Sequence, residues 1–405
     1  MTLIYETTFF GRLLVHGLLL VVAVGVYLVW PRVPKRVQSP LLILLAVGVR
    51  ILVWPVEPSD DVNRYVWEGK LVLAGENPYM HTADDPVWEQ YRDSFWEGMN
   101  HKDYTTIYPP LMELVFAGTV AISPTANAFK GLAGLFDLAC LPLIWLLCGG
   151  GESGQRRLAL FAVFPVSVIS FTGEGHFDSL MIFAWLAALV CLKKKRFAWA
   201  WFLLAVAVQI KLVAVVLAPL FLRNGGWRKL WAFIPPVVVP CIVFWEGMVP
   251  MLHGILAFGG DSSGNGLVHL VFEHLLGSKR PAGIVSVLLL SGMVCYAFFR
   301  IKDETRASLA IIGTLVIVSP TVTYWYLAWI LPFVVPLGFS GLGWWVLGAT
   351  GVLYYAAWWY RDTHGTWWHP YPAQLGQWIP PLFVGLWTRF GGREKGERGA
   401  RNPKN

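Results

Sequence analysis

The chain has 405 residues, 56% of them hydrophobic and only 14% charged, with a formal net charge of +7 at pH 7. Soluble globular chains carry about 25% charged residues, so a chain with a mean hydropathy of +0.54 lacks the polar surface to face water on every side. Its basic residues stand in short loops between apolar runs, the pattern of cytoplasmic membrane loops, which argues against nucleic acid as a partner.

Apolar runs of roughly 15–25 residues recur from end to end, long enough to cross a hydrocarbon core about 30 Å thick. Lipid admits only helices and closed barrels, because the backbone must satisfy its own hydrogen bonds. Continuous runs, rather than alternation over about ten residues, argue against a barrel. The expected fold is all-α: a polytopic integral membrane bundle of about eleven to thirteen transmembrane helices, forming one domain over residues 1–390. The 22 Trp and 14 Tyr suit membrane interfaces. The five Cys (Cys140, Cys148, Cys191, Cys241, Cys295) lie in apolar runs with no metal-ligand spacing and read as small buried hydrophobes.

In chain order, residues 13–30 give a first span, expected to be retained because no small-residue cleavage site follows it. Pro31, Arg32, Pro34, Lys35 and Arg36 make a basic cytoplasmic turn, and residues 40–54 cross outward. Residues 57–107 then form the first extracytoplasmic loop, where 62–74 have the spacing of an interfacial helix closed by Gly75 and Pro78. Three apolar runs follow, at 108–122, 131–147 and 158–171, and another ends at the basic block Lys193–Arg196. If all three crossed, that block would lie outside, so one of them must not span; the sequence leaves open which. From 197 to 222 two short helices turn at Lys211 on the outer side. A span at 230–245, an outer loop at 247–280, a span at 281–299, a pair joined near Thr321–Tyr324, a span at 341–357 and a short last span complete the membrane part. Residues 391–405, Gly-rich and basic, are expected to be a disordered cytoplasmic tail.

Ionisable groups at a membrane rim are costly and so are functional candidates. This topology gathers Asp60, Asp61, Arg64, Glu68, His176, Asp178, Lys211 and His269 on the outer side. Carboxylates beside cations suit transfer from a phosphate-activated donor: a carboxylate takes a proton from an attacking hydroxyl, and Lys or Arg stabilises the departing phosphate. Plainer roles exist. Asp60 and Asp61 also suit a helix N-terminus, Arg64 and Glu68 an i, i+4 pair, and Lys211 a snorkelling lysine.

The run Asp60-Asp61-Val62-Asn63-Arg64-Tyr65-Val66-Trp67-Glu68-Gly69, followed by Gly75-Glu76-Asn77-Pro78-Tyr79, resembles the first outer loop of GT-C glycosyltransferases, in particular bacterial polyprenyl-phosphate-mannose-dependent mannosyltransferases. Tyr108-Pro109-Pro110-Leu111, Gly175-His176-Phe177-Asp178, Lys211 and Ser319-Pro320-Thr321 through Trp325-Tyr326 are similar to further elements of that superfamily, in the same order over residues 40–335. Asn63 stands where relatives often have Tyr, Glu68 where Asp is common, and Thr323 where some carry His.

The resemblance implies an inverting transfer of a sugar, mannose first, from a polyprenyl-monophosphate carrier to a lipid-linked glycan or glycolipid hydroxyl on the extracytoplasmic face of the cytoplasmic membrane. It implies Asp60 as general base with Asp61 close behind. Arg64, His176 and Lys211 would hold the phosphate, and Asp178 would orient His176 or the sugar. Glu68, Tyr79, Tyr108, Trp325 and Tyr326 would line the substrate groove. A lipid-phosphate leaving group beside Lys and Arg needs no divalent ion, so no metal or cofactor is expected; a divalent ion bound by Asp60 or Asp61 is the alternative. The alternatives are a related transferase for another sugar and a flippase or transporter for the polyprenyl-linked sugar; a transporter would place ionisable groups near the midplane of both halves.

Overall fold

The structure, a computed structural model, describes residues 9–261 and 264–400. Helices α1 (Phe9–Val29) and α2 (Lys35–Val53) form a hairpin turned at Trp30–Arg32, where Pro31 and Pro34 end one helix and open the next. Helix α3 (Asp61–Leu73) has Asp61 in its first turn and Lys70 in its last, which suits the helix dipole. The loop after it carries a 3₁₀ turn (Pro86–Tyr91) and the single turn α4 (Ser94–Glu97), whose leading N–H groups donate to the Asp93 carboxylate. This loop folds back over α3, packing Trp88 and Met99 against Trp67 and Leu71. The helix expected at the interface therefore exists but is covered.

Helices α5 (Pro110–Ile122), α6 (Ala126–Cys148), α7 (Glu152–Ala162) and α8 (Pro165–Ser167) follow, the last running into a π-type turn, Val168–Gly173. Then come α9 (Asp178–Lys193), α10 (Phe197–Ile210), a 3₁₀ stretch Leu212–Leu217, α11 (Ala218–Leu222), α12 (Ile234–Val243), α13 (Met248–Asp261) and α14 (Leu267–Leu276). Helices α15 (Lys279–Arg300) and α16 (Glu304–Val318) form a long hairpin. A 3₁₀ turn Tyr324–Trp329, α17 (Leu331–Val334), α18 (Leu342–Thr350), α19 (Ala356–His364) and α20 (Tyr371–Ala400) complete the chain. Of the tail expected from Gly391, residues 401–405 lie outside the described residues.

The fold is an all-α polytopic membrane bundle. Among the described residues five helices are long and apolar enough to cross a membrane, or six if Gly226–Val243 and Trp245–Gly259, bent by 99°, count as one span. This is fewer than the eleven to thirteen full spans expected. The difference arises because other apolar runs are broken into helices of 10–17 residues, among them Phe197–Ile210, Leu212–Leu222 and Tyr324–Gly338. Glu152–Gly173 is the axis of the bundle: 83% of its most apolar 18-residue stretch is buried, against 28% or less in the other four. The outward residues of α1 and α2, such as Val21, Ile43, Leu44 and Ile51, are large, apolar and exposed, as lipid-facing residues are.

Contacts fix the two ends of the bundle. At one end the Lys35 ammonium, at the start of α2, pairs with Glu152 at the start of α7. At the other, Lys130 near the start of α6 donates to the carbonyls of Trp54 and Val56 just beyond α2. Helix α5 begins at this second end, where the Leu111 N–H donates to Gln209 beside Lys211, and it returns to the same end, because three residues join it to α6. Of the three runs, 108–122 is thus the one that does not cross. Helices α6 and α7–α8 then bring residues 174–178 back beside Asp61, and the parity problem disappears.

Candidate active site

Two chain segments are tied together at this end. The Ser59 N–H donates to the Glu174 carbonyl at 2.9 Å. Gly175 allows the approach: its φ is +84°, and a methyl group there would stand 2.9 Å from Val62 and 3.3 Å from Lys130. Glu174 itself is buried, salt-bridged to Arg12 at 3.2 Å and accepting from the Tyr355 hydroxyl at 2.6 Å.

Asp61 lies at the centre of the cluster. Its Oδ1 accepts from Asn100 Nδ2 at 2.9 Å, and its Oδ2 is 3.7 Å from His176 Nδ1. Burial, and then the charge of Asp60 beside it, push the Asp61 carboxyl up to about 6, while Asn100, Lys211 and Arg64 pull the other way. Asp60 is half-buried and accepts from the Ser59 hydroxyl at 3.2 Å. His176 is buried and stacked on Trp325, with ring centres 3.6 Å apart. Burial, then Lys211 and Arg12, hold its pKa well below the usual imidazole range, so the ring is neutral.

Across from Asp61, Lys211 ends α10, its Nζ 2.8 Å from Asp178 Oδ1 and 4.6 Å from the ring centre of Tyr326. Asp178 also accepts from the Trp329 indole at 2.7 Å, and Tyr326 stacks on Trp329. Asp178 therefore orients Lys211 rather than His176. Exposure divides these groups into two pairs. Asp61 and Lys211 keep 21% and 24% of their side chains open, whereas His176 and Asp178 keep 1%.

Other expected residues sit deeper. Arg64 is buried, spending its guanidinium on Glu68 at 2.9 Å and on the carbonyls of Asn100 and His101. It ties the covering loop to α3 and is not presented to a phosphate. Glu68 is buried too, accepting from Arg64 and from Thr106 at 3.1 Å. The wholly buried Tyr79 donates to the Tyr108 carbonyl at 2.6 Å. Neither Glu68 nor Tyr79 lines an open groove. Tyr108, Trp325 and Tyr326 remain half-buried beside the cluster. His269 belongs elsewhere, next to Glu273 and Ser286. Asn100, Arg12, Glu174, Trp329 and Tyr355 were not singled out by the sequence; Arg12 carried the same signal as Lys211, a cation inside an apolar run.

Among the described residues no three His, Cys, Asp or Glu side chains are grouped to hold a metal ion. Asp61 and Lys211 thus stay partly open at one end of a helical membrane bundle. Residues 7–223, more than half of the chain, match the family model described as the MptA_B family, the N-terminal domain of alpha-(1->6)-mannopyranosyltransferases. The chain belongs to that family and is a mannosyltransferase. No curated protein and no solved structure matches it. The matched stretch contains Asp60, Asp61, His176, Asp178 and Lys211 and stops before Trp325 and Tyr326.

Proposed function

We propose that the protein moves a mannosyl residue from a polyprenyl-monophosphate carrier to a hydroxyl of a lipid-linked glycan or glycolipid, with inversion, on the extracytoplasmic side of the cytoplasmic membrane. What carries this reading is the partly open pair Asp61 and Lys211 within a mannosyltransferase family. The acceptor oxygen forms the new bond to the anomeric carbon, and its proton goes to an Asp61 oxygen. The bond from that carbon to the phosphate breaks, and the electron pair leaves with the lipid phosphate, whose charge Lys211 meets. Asp178, Trp329 and Tyr326 hold the ammonium in place. A base with a carboxyl near 6 is well matched to neutral pH, and Asp61 is the carboxylate that stands beside His176. The sidedness rests on the basic block Lys193–Arg196 at the opposite end from Lys211.

The test is transfer of label from polyprenyl-phosphate-mannose to a membrane-lipid extract by purified protein in nanodiscs, with and without EDTA. The expected result is label on a lipid acceptor, lost in Asp61→Asn, reduced less than about tenfold in Asp60→Asn and unchanged by EDTA. Loss in Asp60→Asn alone would reassign the base. Transfer from another polyprenyl-linked sugar, with none from mannose, would correct the donor.

A further inference from the structure

At the end of the bundle remote from Asp61, a cavity of about 730 Å³ opens among α1, α2, α7 and α18, within the range of about 300–1,000 Å³ typical of ligand pockets. Its walls are largely apolar, with Leu20, Val24, Leu160, Leu342 and Val346 contributing. Arg156, Arg157 and Trp30 also line it, as do Lys35 and Glu152, which form an ion pair.

The two arginines are held in an unusual way. Arg156 Nε donates at 2.6 Å to the Tyr27 carbonyl, which lacks its helical partner because Pro31, four residues on, has no N–H. Arg157 Nε donates at 2.6 Å to the Val335 carbonyl, one turn before the kink at Gly338 (φ +66°). Each guanidinium is anchored through Nε, and that of Arg156 also lies over the Tyr27 ring, 3.7 Å from its centre, while the terminal nitrogens have no hydrogen-bond partner among the described residues. Trp30 is 2% exposed, and its indole N–H has no acceptor either. A buried indole N–H without a partner is costly, and two guanidinium forks are the geometry that takes a phosphate.

We propose that this cavity binds a lipid phosphate: the hydrocarbon chain fills the apolar part, and the phosphate oxygens accept from Arg156, Arg157 and Trp30. The site is separate from Asp61 and Lys211, and the inference does not rest on the transfer reaction. Two lipids offer this chemistry, an anionic phospholipid of the bilayer and the polyprenyl phosphate itself.

Native mass spectrometry of the full chain carrying Asp178→Asn/Lys211→Met, which removes the cation that would hold polyprenyl phosphate beside Asp61, decides between them. The probes are phosphatidylglycerol, polyprenyl monophosphate and, as a tail without phosphate, diacylglycerol. One phosphate lipid should be retained at least tenfold more than diacylglycerol, and which one it is names the source. Retention should fall about tenfold in the Arg156→Gln/Arg157→Gln double variant. It should fall equally in Val346→Trp, which fills the cavity and leaves both arginines and their carbonyl anchors intact. Melting temperatures in detergent identify any variant that fails to fold. Equal retention of diacylglycerol, or retention of the phosphate lipid that survives Val346→Trp, overturns the proposal.

Discussion

Asp61 is pulled two ways. The burial that raises its carboxyl to about 6 makes it a better base and a worse contributor to folding. Its folded-state pKa lies above the unfolded value of 3.8, so ionised Asp61 opposes folding at neutral pH, and proton uptake between about pH 6 and pH 4 favours the folded state. Asp61→Asn is therefore expected to hold or raise the melting temperature while transfer falls by about 10²–10⁴-fold. Wild-type transfer should rise with pH through about 6 and level off above it, as a pH–rate profile would show. Lys211 behaves in the opposite way. Lys211→Met leaves the buried Asp178 carboxylate with only Trp329, and loss of one partner of a buried pair costs about 3–5 kcal/mol. The double variant Asp178→Asn/Lys211→Met should recover most of that stability and none of the transfer; recovery of transfer would show that Lys211 serves structure alone.

At the scale of elements, the loop after α3 acts as a clamp. Arg64 reaches two carbonyls of that loop, and Asn100, from the same turn, supplies the hydrogen bond that pins Asp61. Arg64→Lys keeps the charge and loses the fork, so faster amide exchange across residues 81–104 is expected, with transfer down about tenfold. The sequence pointed to the run of residues 60–69 as chemistry; the structure leaves Asp61 partly open and buries Arg64 and Glu68. Nothing local announces that a loop more than thirty residues on will cover the last two. Asp61, His176, Asp178 and Lys211 were legible because charge inside or beside apolar runs is visible without a structure. Their pairing was not, since the expected link from Asp178 to His176 and the observed one to Lys211 fit the same sequence. The hairpin turned at Lys211 was readable from basic flanks at 193–196 and 223–229. Helix α5 was not, because a rim helix and a short span have the same composition.

Over the whole molecule, charges inside the bundle also hold helices together. Arg50 on α2 contacts Asp137 on α6 at 2.5 Å and donates to the Ala162 carbonyl within the axial segment, joining three parts of the bundle. Neither residue stood out in the sequence, since a paired charge and a functional one look alike until the partner is seen. Arg50→Met alone is expected to cost about 3–5 kcal/mol, whereas Arg50→Met/Asp137→Leu should be close to neutral. Both are measurable as melting temperatures in detergent, and transfer by the double variant should match the wild type.

The seating of Tyr324–Trp329 against His176 and Asp178 also sets a timetable for biogenesis. Trp329 follows Asp178 by 151 residues, so at about 5–20 residues per second of synthesis the carboxylate waits roughly 8–30 s for its second donor. During that interval His176 has no Trp325 to stack on, and the pocket around Asp61 is open on one side. A nascent chain arrested before residue 320 would hold the family-matched segment already inserted, yet with its acid and cation incompletely walled. Quality control that recognises unpaired polar groups in lipid would meet this protein most often in that state, and the last third of the chain is what ends the exposure.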